Sequence, residues 1–441
     1  MDAEHRADDR RTDGGCTRVF ILADDLTGAA DAANYFRTGA HRVRVGLNPD
    51  RPWDPALGPE VVQVADTESR AAAPAEARAR VAAAVEQLKA LFSQEYGASY
   101  VYKKVDSTLR GHLGAELETA LQALERRVAV LAPSFPANGR CVLDGRLTVH
   151  GTPVHETAFA KDPRNPIDTD RIADLVRRGV SIPVREMPIP VVRSGPEAAR
   201  AWVDKHHEKH MIVVADAQTE DDLSTLASAF AARQDVLLCG SAGLAKHLPP
   251  HWLRRGEGVS SAAPVPADQV LVLVGSANPV AHRQLEALAE STGLEVAVLD
   301  PVRLADAASS QDELAMAARR LAAGASGGGR VHAAALGQRR PATDTLRRFE
   351  DDLAAVAKAW FETVDARRIG FVATGGDTAL ALCRAIGVQA IWPEGEVLAG
   401  IPWNTIETPR GSARLVTKAG GFGEDDALRR AVDFLTRGAG S

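Results

Sequence analysis

The amino-acid sequence predicts an α/β protein with two domains, each a mostly parallel sheet flanked by helices. Short apolar segments alternate along the chain with Ala- and Arg-rich segments of helical character, which is the pattern of parallel sheets. The chain has 441 residues, whereas a single core rarely grows beyond roughly 250–300 residues. A stretch rich in Gly, Ser, Ala and Pro at 256–268 interrupts the alternation and has the composition of a linker.

This linker separates an N-terminal domain over 18–255 from a C-terminal domain over 269–441. Residues 1–17 are polar and charged and lack an apolar stretch, which predicts a disordered extension and not a signal peptide. No apolar run approaches the ~20 residues of a membrane helix. The sequence therefore predicts no membrane partner.

In the N-terminal half, six apolar runs predict strands and two Ala- or Leu-rich runs predict helices. The strands are Val19–Ala23, Val61–Ala65, Tyr100–Val105, Val128–Ala132, Ile212–Ala215 and Val236–Cys239, and the helices are Pro74–Phe92 and Leu113–Leu124.

The alternation restarts after the linker. The predicted strands are Val270–Val274, Val296–Leu299, Arg330–Leu336, Ile369–Thr374 and Leu415–Lys418. One predicted helix follows the segment GSANPV and ends at about Ser291. Further helices are predicted over Asp312–Ala323, Thr343–Thr363 and Glu424–Thr436. The segment Ala322–Gly329 is predicted to be a flexible loop.

Charge and cysteine content exclude several classes of protein. The formal net charge of -6 gives no general attraction to nucleic acid or to anionic membranes. The four cysteines are far apart and form no CxxC pair, so neither a zinc site nor a disulfide framework is predicted, and a reducing cytoplasm fits best. Oligomeric state is not readable from the sequence, and a homodimer is the common default.

The segment ADDLTGAAD begins where the first predicted strand ends and carries the adjacent carboxylates Asp24 and Asp25. Ligands of open α/β sheets bind outside the carboxyl ends of the strands. Two neighbouring carboxylates are costly to desolvate there unless something pairs with them. The alternative is that one Asp caps the following helix and the other is solvated.

Cations and hydroxyls follow other strands of the same half. The segment KKVDSTLRGH places Lys104, Asp106, Ser107 and Arg110 at the end of a strand, and Lys and Arg donate to carboxylates or phosphates. A surface loop with a capping Asp or Ser is the alternative. Arg70 in DTESR and Arg140 in APSFPANGR also follow strands. Such strand ends suit a small polyhydroxy acid.

Three glycine- or serine-rich turns lead from strands into helices in the C-terminal half. They are Gly275–Pro279, Thr374–Thr378 and Lys418–Gly423. Glycine lets a backbone approach a ligand closely, and free N–H groups at helix N-termini suit phosphate. The chain has neither a Walker A loop nor GxGxxG. Asp300 sits where a dinucleotide-binding domain keeps its ribose-binding acid, which leaves a dinucleotide as the alternative.

Together the two halves favour transfer of a γ-phosphoryl group from a nucleotide donor to a sugar-acid hydroxyl. Such chemistry needs a carboxylate to accept the hydroxyl proton and Mg²⁺ to neutralise charge. Asp24, Asp25 and Asp106 are the candidate catalytic carboxylates, and no metal ligands are identified. An NAD(P)-dependent oxidoreductase for small hydroxy acids and a non-catalytic sugar-acid sensor are the alternatives.

The ordered motifs ADDLTGAAD, DTESR, KKVDSTLRG, PSFPANGR, GSAGLA, GSANPV, ATGGDTA and TKAGGFG resemble the four-carbon acid sugar kinases. The resemblance runs from about Arg18 to Leu435 but is weaker over Ala390–Asn404, from which no inference is drawn. It implies a sugar-acid-binding N-terminal domain, a nucleotide-binding C-terminal domain and ATP-dependent phosphorylation of the terminal hydroxyl of threonate, erythronate or 3-oxo-tetronate.

The resemblance also implies which residues bind each ligand. Those implied for the sugar acid are Asp24 or Asp25, Arg70 and Lys104 to Ser107, and Arg110 is added from its position in KKVDSTLRGH. Those implied for ATP are Ser276, Gly375, Gly376, Asp377, Thr378, Gly420 and Gly421.

Overall fold

The computed structural model describes residues 17–38, 40–92, 99–162, 165–253, 265–339, 349–398 and 400–437. Nearly all of the predicted extension 1–17 and most of the predicted linker 256–268 lie outside these residues, so both stay predictions. Among the residues described, no helix is long and apolar enough to cross a membrane.

The N-terminal half contains eleven strands and nine helices within its described residues. The strands are β1 (Arg18–Ala23), β2 (Arg42–Gly46), β3 (Val61–Asp66), β4 (Ser99–Lys104), β5 (Val128–Ala132), β6 (Arg140–Leu143), β7 (Arg146–Val149), β8 (Thr152–Pro153), β9 (Val184–Met187), β10 (Met211–Ala215) and β11 (Val236–Gly240). The helices are α1 (Leu26–Phe36), α2 (Pro74–Lys89), α3 (Leu113–Ala123), α4 (Ile172–Arg177), α5 (Ile189–Arg193), α6 (Pro196–Asp204), α7 (Glu220–Phe230), α8 (Ala242–Ala245) and α9 (Pro249–Trp252). Short 3₁₀ turns lie at Pro136–Asn138, Val154–Glu156 and Ala158–Lys161.

The C-terminal half repeats the alternation. Its strands are β12 (Gln269–Val274), β13 (Val296–Leu299), β14 (Val331–Leu336), β15 (Ile369–Thr374), β16 (Ala390–Leu398), β17 (Ile401–Thr408) and β18 (Gly411–Lys418). Its helices are α10 (Pro279–Thr292), α11 (Pro301–Ala305), α12 (Ser310–Ser326), α13 (Phe349–Thr363), α14 (Gly376–Ala385) and α15 (Ala427–Arg437).

Fifteen of the described strands form one sheet in the order β13-β14-β12-β15-β18-β17-β16-β2-β3-β1-β4-β11-β5-β10-β9. The eight strands from β2 to β9 pair in parallel, as do the five from β13 to β18. The antiparallel strands β16 and β17 lie between these two blocks. The predicted α/β class, with mostly parallel pairing and flanking helices, is confirmed, and the two sheets predicted separately are joined into one. A separate small sheet contains β6, β7 and β8.

The pairing of β16 with β2 joins the two blocks. Ala390 pairs with Gly46, and Ile391 pairs with Val45. Ile391 and Val45 are completely buried, so apolar packing supports these backbone bonds. The hydrogen-bonded sheet therefore passes directly from the N-terminal half to the C-terminal half.

The central strands are apolar because helices cover both faces of a parallel sheet. All six residues of β1, β3 and β15 are buried, and so are all five of β5, β10 and β11. The strand ends consequently carry the polar side chains.

One predicted loop is partly wrong, and one segment without a prediction turns out to form strands. The loop predicted for Ala322–Gly329 is wrong in its first part, because α12 continues to Ser326; its Ala-rich sequence has high helix propensity. The segment 390–404, from which nothing was inferred, forms β16 and the start of β17. The segment has no strict alternation of apolar and polar residues, as its stretch Trp392, Pro393, Glu394 and Gly395 shows. Register shifts also interrupt the pairing of β16 with β17.

Candidate functional site

The two adjacent carboxylates at the end of β1 share one guanidinium. Arg70 donates from Nε to Asp24 Oδ2 at 2.9 Å and from a terminal nitrogen to Asp24 Oδ1 at 3.0 Å. Its other terminal nitrogen binds Asp25 Oδ2. The second oxygen of Asp25 accepts from the Gly28 backbone at 2.7 Å and so caps α1. The capping alternative is therefore correct for Asp25, while Asp24 is paired and not solvated.

Burial and charge act in opposite directions on these carboxyls. Burial alone would raise the pKa of Asp24, but the charges of Arg70 and Lys103 outweigh it and lower the pKa. Burial raises the pKa of Asp25, and the neighbouring Asp24 charge adds to that effect against the pull of Arg70. Asp24 is therefore the more firmly ionised member of the pair.

Lys104 lies beside this cluster and carries a charge that is not paired. A Cβ added at Gly28 would lie 2.6 Å from Lys104 Nζ and 3.6 Å from an Arg70 nitrogen. Lys104 is only 3% exposed, yet its ammonium forms no ion pair or hydrogen bond with any residue in the described part of the chain. A buried charge needs a partner, so this ammonium is available to an anionic ligand.

Asp106 and Arg110 form the neighbouring part of the site. Arg110 donates from Nε to Asp106 Oδ2 at 2.8 Å, and Thr108 also donates to that oxygen. Burial would raise the pKa of Asp106, but Arg70 and Arg110 lower it far below its usual range. Ser107 is half-buried on the same turn.

The three glycine-rich turns of the C-terminal half converge. A Cβ at Gly275 would lie 2.1 Å from Thr378 Oγ1, and one at Gly420 would lie 2.1 Å from Ser276 Oγ. The Gly375 amide donates to the Lys418 carbonyl at 2.8 Å. Gly375 has φ +106, a conformation that L side chains rarely adopt. Glycine is thus required for the turns to pack together.

Two side chains reinforce the turn after β18. Gln284 Nε2 donates to the backbone carbonyls of Phe422, Gly423 and Glu424 at 2.9–3.0 Å. Lys418 Nζ donates to carbonyls of the same turn, at 2.9 Å for Ala419. Burial lowers the Lys418 pKa to about 8. The turn is therefore held rigidly beside a cationic group.

A cleft of about 680 Å³ separates α1 from these turns. One wall comes from α1, including Thr27, Asp31 and Asn34. The opposite wall comes from the glycine-rich turns of the C-terminal half and from β16 and β17, and it includes Gly376 and Lys418. A Cβ at Gly376 would lie only 2.4 Å from Thr27 Oγ1. The start of α14 therefore touches the first turn of α1.

An ion pair also links the two sides outside the cleft lining. Arg384 of α14 binds Glu68, which lies two residues before Arg70. The turn that carries Arg70 is therefore connected to the helix whose N-terminus faces α1.

The structure brings most of the predicted residues into two groups. The first group lies at the carboxyl ends of β1, β3 and β4 and contains Asp24, Asp25, Arg70, Lys104, Asp106, Ser107 and Arg110. The second group lies in the converging turns and contains Ser276, Gly375, Gly376, Asp377, Thr378, Gly420 and Gly421. Of all these, only Gly375 and Gly376 line the cleft itself.

The polar residues of the cleft wall that were not identified from the sequence as site residues include Thr27, Asp31, Asn34 and Lys418. Thr27, Asp31 and Asn34 follow each other at the i, i+4, i+7 spacing of one helix face. This polar stripe, on a helix made otherwise mainly of small and apolar residues, is the sequence pattern that could have indicated them. Lys418 begins the glycine-rich turn Lys418–Gly423, but its burial depends on the tertiary packing around it.

Asp31 has an unusual environment for a carboxylate. It is an exposed residue by surface area, but the exposed surface faces the cleft, whose walls limit its hydration. This desolvation raises the pKa of Asp31 to about 6, against the lowering effect of Lys104 and with a further rise from Asp25.

Comparison with known proteins gives two matches to domain families. Residues 19–248 match the family model described as a sugar-binding N-terminal domain. Residues 271–428 match the one described as a nucleotide-binding C-terminal domain.

Two curated relatives match over nearly their full length. The chain is 32% identical to D-threonate kinase of Salmonella typhimurium, over 95% of this chain and 98% of the relative. It is 28% identical to D-erythronate kinase of Heliobacterium modesticaldum, over 95% of this chain and 97% of the relative. A solved structure from Salmonella typhimurium matches with a TM-score of 0.75 at 22% identity, covering 94% of this chain and 98% of that one; this likeness concerns the fold alone.

We expect the Arg70 cluster to be required for stability. Arg70→Met would leave two carboxylates without their cation and should lower the free energy of unfolding by about 3–5 kcal/mol, the usual cost of breaking a buried ion pair. Arg177→Met, which removes an exposed pair with Asp174, should cost at most about 1 kcal/mol. Thermal unfolding at neutral pH measures both, and equal midpoints for the two variants would contradict the expectation.

Proposed function

The chain belongs to the four-carbon acid sugar kinase family, and we propose that it transfers the γ-phosphoryl group of ATP to the terminal hydroxyl of D-threonate. The observation that carries the kinase activity is the cleft, in which the start of α14 meets the first turn of α1. Phosphoryl transfer depends mainly on holding donor and acceptor in register. The choice of D-threonate rests on the higher identity to the D-threonate kinase than to the D-erythronate kinase.

The cluster at the ends of β1, β3 and β4 is proposed to bind the sugar acid. Lys104 pairs with the substrate carboxylate, since its buried ammonium forms no direct ion pair or hydrogen bond among the described residues. Arg70 already pairs with both Asp24 and Asp25, so these three groups supply no positive charge to the ligand and would orient its hydroxyls. Asp106, Ser107 and Arg110 would complete the pocket at the end of β4.

Arg140 offers a second unpaired cation for the same carboxylate. Its Nε is buried without a hydrogen-bond partner, and within the described ranges it forms no ion pair with an acidic side chain. Burial lowers its pKa, while the charge of Asp106 raises it, which places it near the Asp106 and Arg110 pair.

ATP is proposed to place its phosphates in the converging turns of the C-terminal half. Gly375 and Gly376 at the start of α14 line the cleft beside α1, and helix N-termini favour phosphate. Ser276, Gly420 and Gly421 would contact the remaining phosphates, and Asp377 with Thr378 would lie at the helix start. Lys418 contributes positive charge below its pKa of about 8.

Mg²⁺ fits as an ion that arrives with the nucleotide. Among the described residues, no three His, Cys, Asp or Glu side chains converge as a metal site. Mg²⁺ normally keeps several waters and uses one or two carboxylates plus substrate phosphates. Asp377, an exposed carboxylate at the start of α14, would hold it, and the ion would neutralise phosphate charge.

The proposal also covers the cellular location and the oligomeric state of the protein. Cys141, Cys239 and Cys383 are free thiols, which suits a cytoplasmic enzyme. A homodimer remains the default assembly.

An ATP-consumption assay across a panel of acids tests the function. The panel contains D- and L-threonate, D- and L-erythronate and 3-oxo-tetronate, and the expected result is the highest kcat/KM with D-threonate. A preference for another acid of the panel would replace the proposed substrate but keep the kinase. ATP binding without turnover of any acid would instead favour a sensor and contradict the kinase.

Lys104→Met should weaken sugar-acid binding selectively. Loss of one charge-assisted hydrogen bond costs roughly 1.5–3 kcal/mol, which corresponds to a KM for the acid higher by roughly 10- to 150-fold. The KM for ATP should stay unchanged. Lys246→Met, which removes a surface pair with Glu220, serves as the control. An unchanged acid KM in the Lys104 variant would remove this residue from the pocket.

Gly420→Ala should weaken nucleotide binding, because the added methyl would meet Ser276 Oγ at 2.1 Å and Cβ at 2.9 Å. The turns would then separate, and we expect a Kd for ATP roughly tenfold higher, a loss of about 1.4 kcal/mol. Gly327→Ala lies outside the cleft lining, and its nearest neighbour is 3.4 Å away. Calorimetric titration with ATP compares the two, and equal affinities would argue against this cradle.

A further inference from the structure

We propose that Asp31 is the catalytic carboxylate that accepts the proton of the attacking hydroxyl. This inference rests on the kinase activity proposed above and assigns the base within that site. In the step, the hydroxyl oxygen forms a bond to the γ-phosphorus while the bond from that phosphorus to the β,γ-bridging oxygen breaks. ADP leaves with the electron pair of the broken bond, and the hydroxyl proton moves to Asp31.

The three carboxylates singled out from the sequence are already occupied. Both oxygens of Asp24 accept from Arg70. Asp25 accepts from Arg70 through one oxygen and from the Gly28 amide through the other. The pKa of Asp24 is lowered by Arg70 and Lys103, which makes it a weaker proton acceptor. Burial raises the pKa of Asp25, but both of its oxygens are held, one by Arg70 and one by the cap of α1.

Asp106 is the third of them. Both of its oxygens accept from Arg110, and one also accepts from Thr108. Its pKa is held far below the usual range, since Arg70 and Arg110 outweigh the effect of burial. A carboxylate held so firmly in its ionised form is poorly suited to take a proton near neutral pH.

Asp31 differs in its contacts. Its carboxylate has no hydrogen bond or ion pair with the residues that the structure describes, and it opens into the cleft. It follows Thr27 by four residues on the same face of α1, which is a rise of about 6 Å along the helix. Because Thr27 meets Gly376 at the start of α14, Asp31 lies one turn from the proposed phosphate site.

The electrostatic surroundings suit a base near neutral pH. Limited hydration raises the pKa of Asp31 to about 6, with Lys104 opposing and Asp25 assisting the rise. General bases work best when their pKa lies near the operating pH. The charged groups that act on the Asp31 carboxyl are Lys104 at the end of β4, Asp25 before α1, Arg70 after β3 and Asp106 after β4. Tyr35, Arg37, Glu396 on β16 and Lys418 on β18 line the same cleft, and Glu220 on α7 acts on the neighbouring Tyr35.

The pH dependence follows from the sign of this shift. The base acts only when it is deprotonated, so kcat/KM should fall as the pH drops below about 6. One pH unit below that pKa, the rate should be about tenfold lower than the plateau. A protein without this carboxylate should lack that acid limb.

The test compares Asp31→Asn, Asp31→Glu and Glu407→Gln with the wild-type full-length chain. Glu407 is the control, since it is an exposed carboxylate of β17 that lies outside the cleft lining. Asp31→Asn should lower kcat by roughly 10²- to 10⁴-fold, leave the Kd for ATP unchanged and remove the acid limb. Asp31→Glu should recover part of kcat and keep an acid limb, and Glu407→Gln should match the wild type.

Two results would overturn the assignment. One is a kcat for Asp31→Asn within threefold of the wild type. The other is a reduced kcat in that variant with the acid limb still present at the same pH, which would locate the base elsewhere. If Asp31→Asn fails to bind ATP, the Asp31→Glu variant decides. An acid limb that moves to a different pH in Asp31→Glu supports the assignment. An acid limb at the same pH as in the wild type opposes it. Failure of the wild type to turn over any acid in the panel would instead contradict the kinase itself.

Discussion

The pairing of β16 with β2 is the constraint on which the rest of the structure depends. It joins two parallel blocks that face different ligands into one hydrogen-bonded sheet. Through it, the carboxyl ends of β1, β3 and β4 stand opposite the turns after β12, β15 and β18. The Glu68 and Arg384 ion pair adds a second connection between the same two sides. Relative motion of the two halves would therefore have to bend this sheet.

Charge balance determines how the sugar-acid side works. Two carboxylates neutralise Arg70, and Asp106 neutralises Arg110. Burial raises the pKa of Asp66 well above its usual range, with Asp25 and Glu68 adding to the rise, which limits the negative charge of the cluster. Within the described residues, Lys104 and Arg140 form no ion pair with an acidic side chain. A cluster that contains many acids can thus still receive an anion, because these two cations are not held by a direct partner.

The nucleotide side relies on close packing of backbone and less on charge. Its glycines allow Ser276 and Thr378 to approach positions that a Cβ would fill, and Gln284 fixes the turn after β18 through three carbonyls. Rigid amides at the start of a helix are preorganised for phosphate oxygens, so little ordering is needed when the ligand binds. This arrangement complements the sugar-acid side, where paired side chains supply orientation.

The sequence by itself determined the α/β class, most of the buried strands, and the two sets of strand-end residues. It did so because apolar runs, helical periodicity and glycine turns are local properties of the chain. It also identified Asp24, Asp25 and Arg70 as members of one site. The tertiary structure alone decided that Asp24 and Asp25 share a single guanidinium, that 390–404 joins the two blocks, and that Asp31 faces the cleft with a raised pKa. These facts depend on which strands become neighbours and which groups lose water, and such long-range contacts and desolvation leave no local pattern in the sequence.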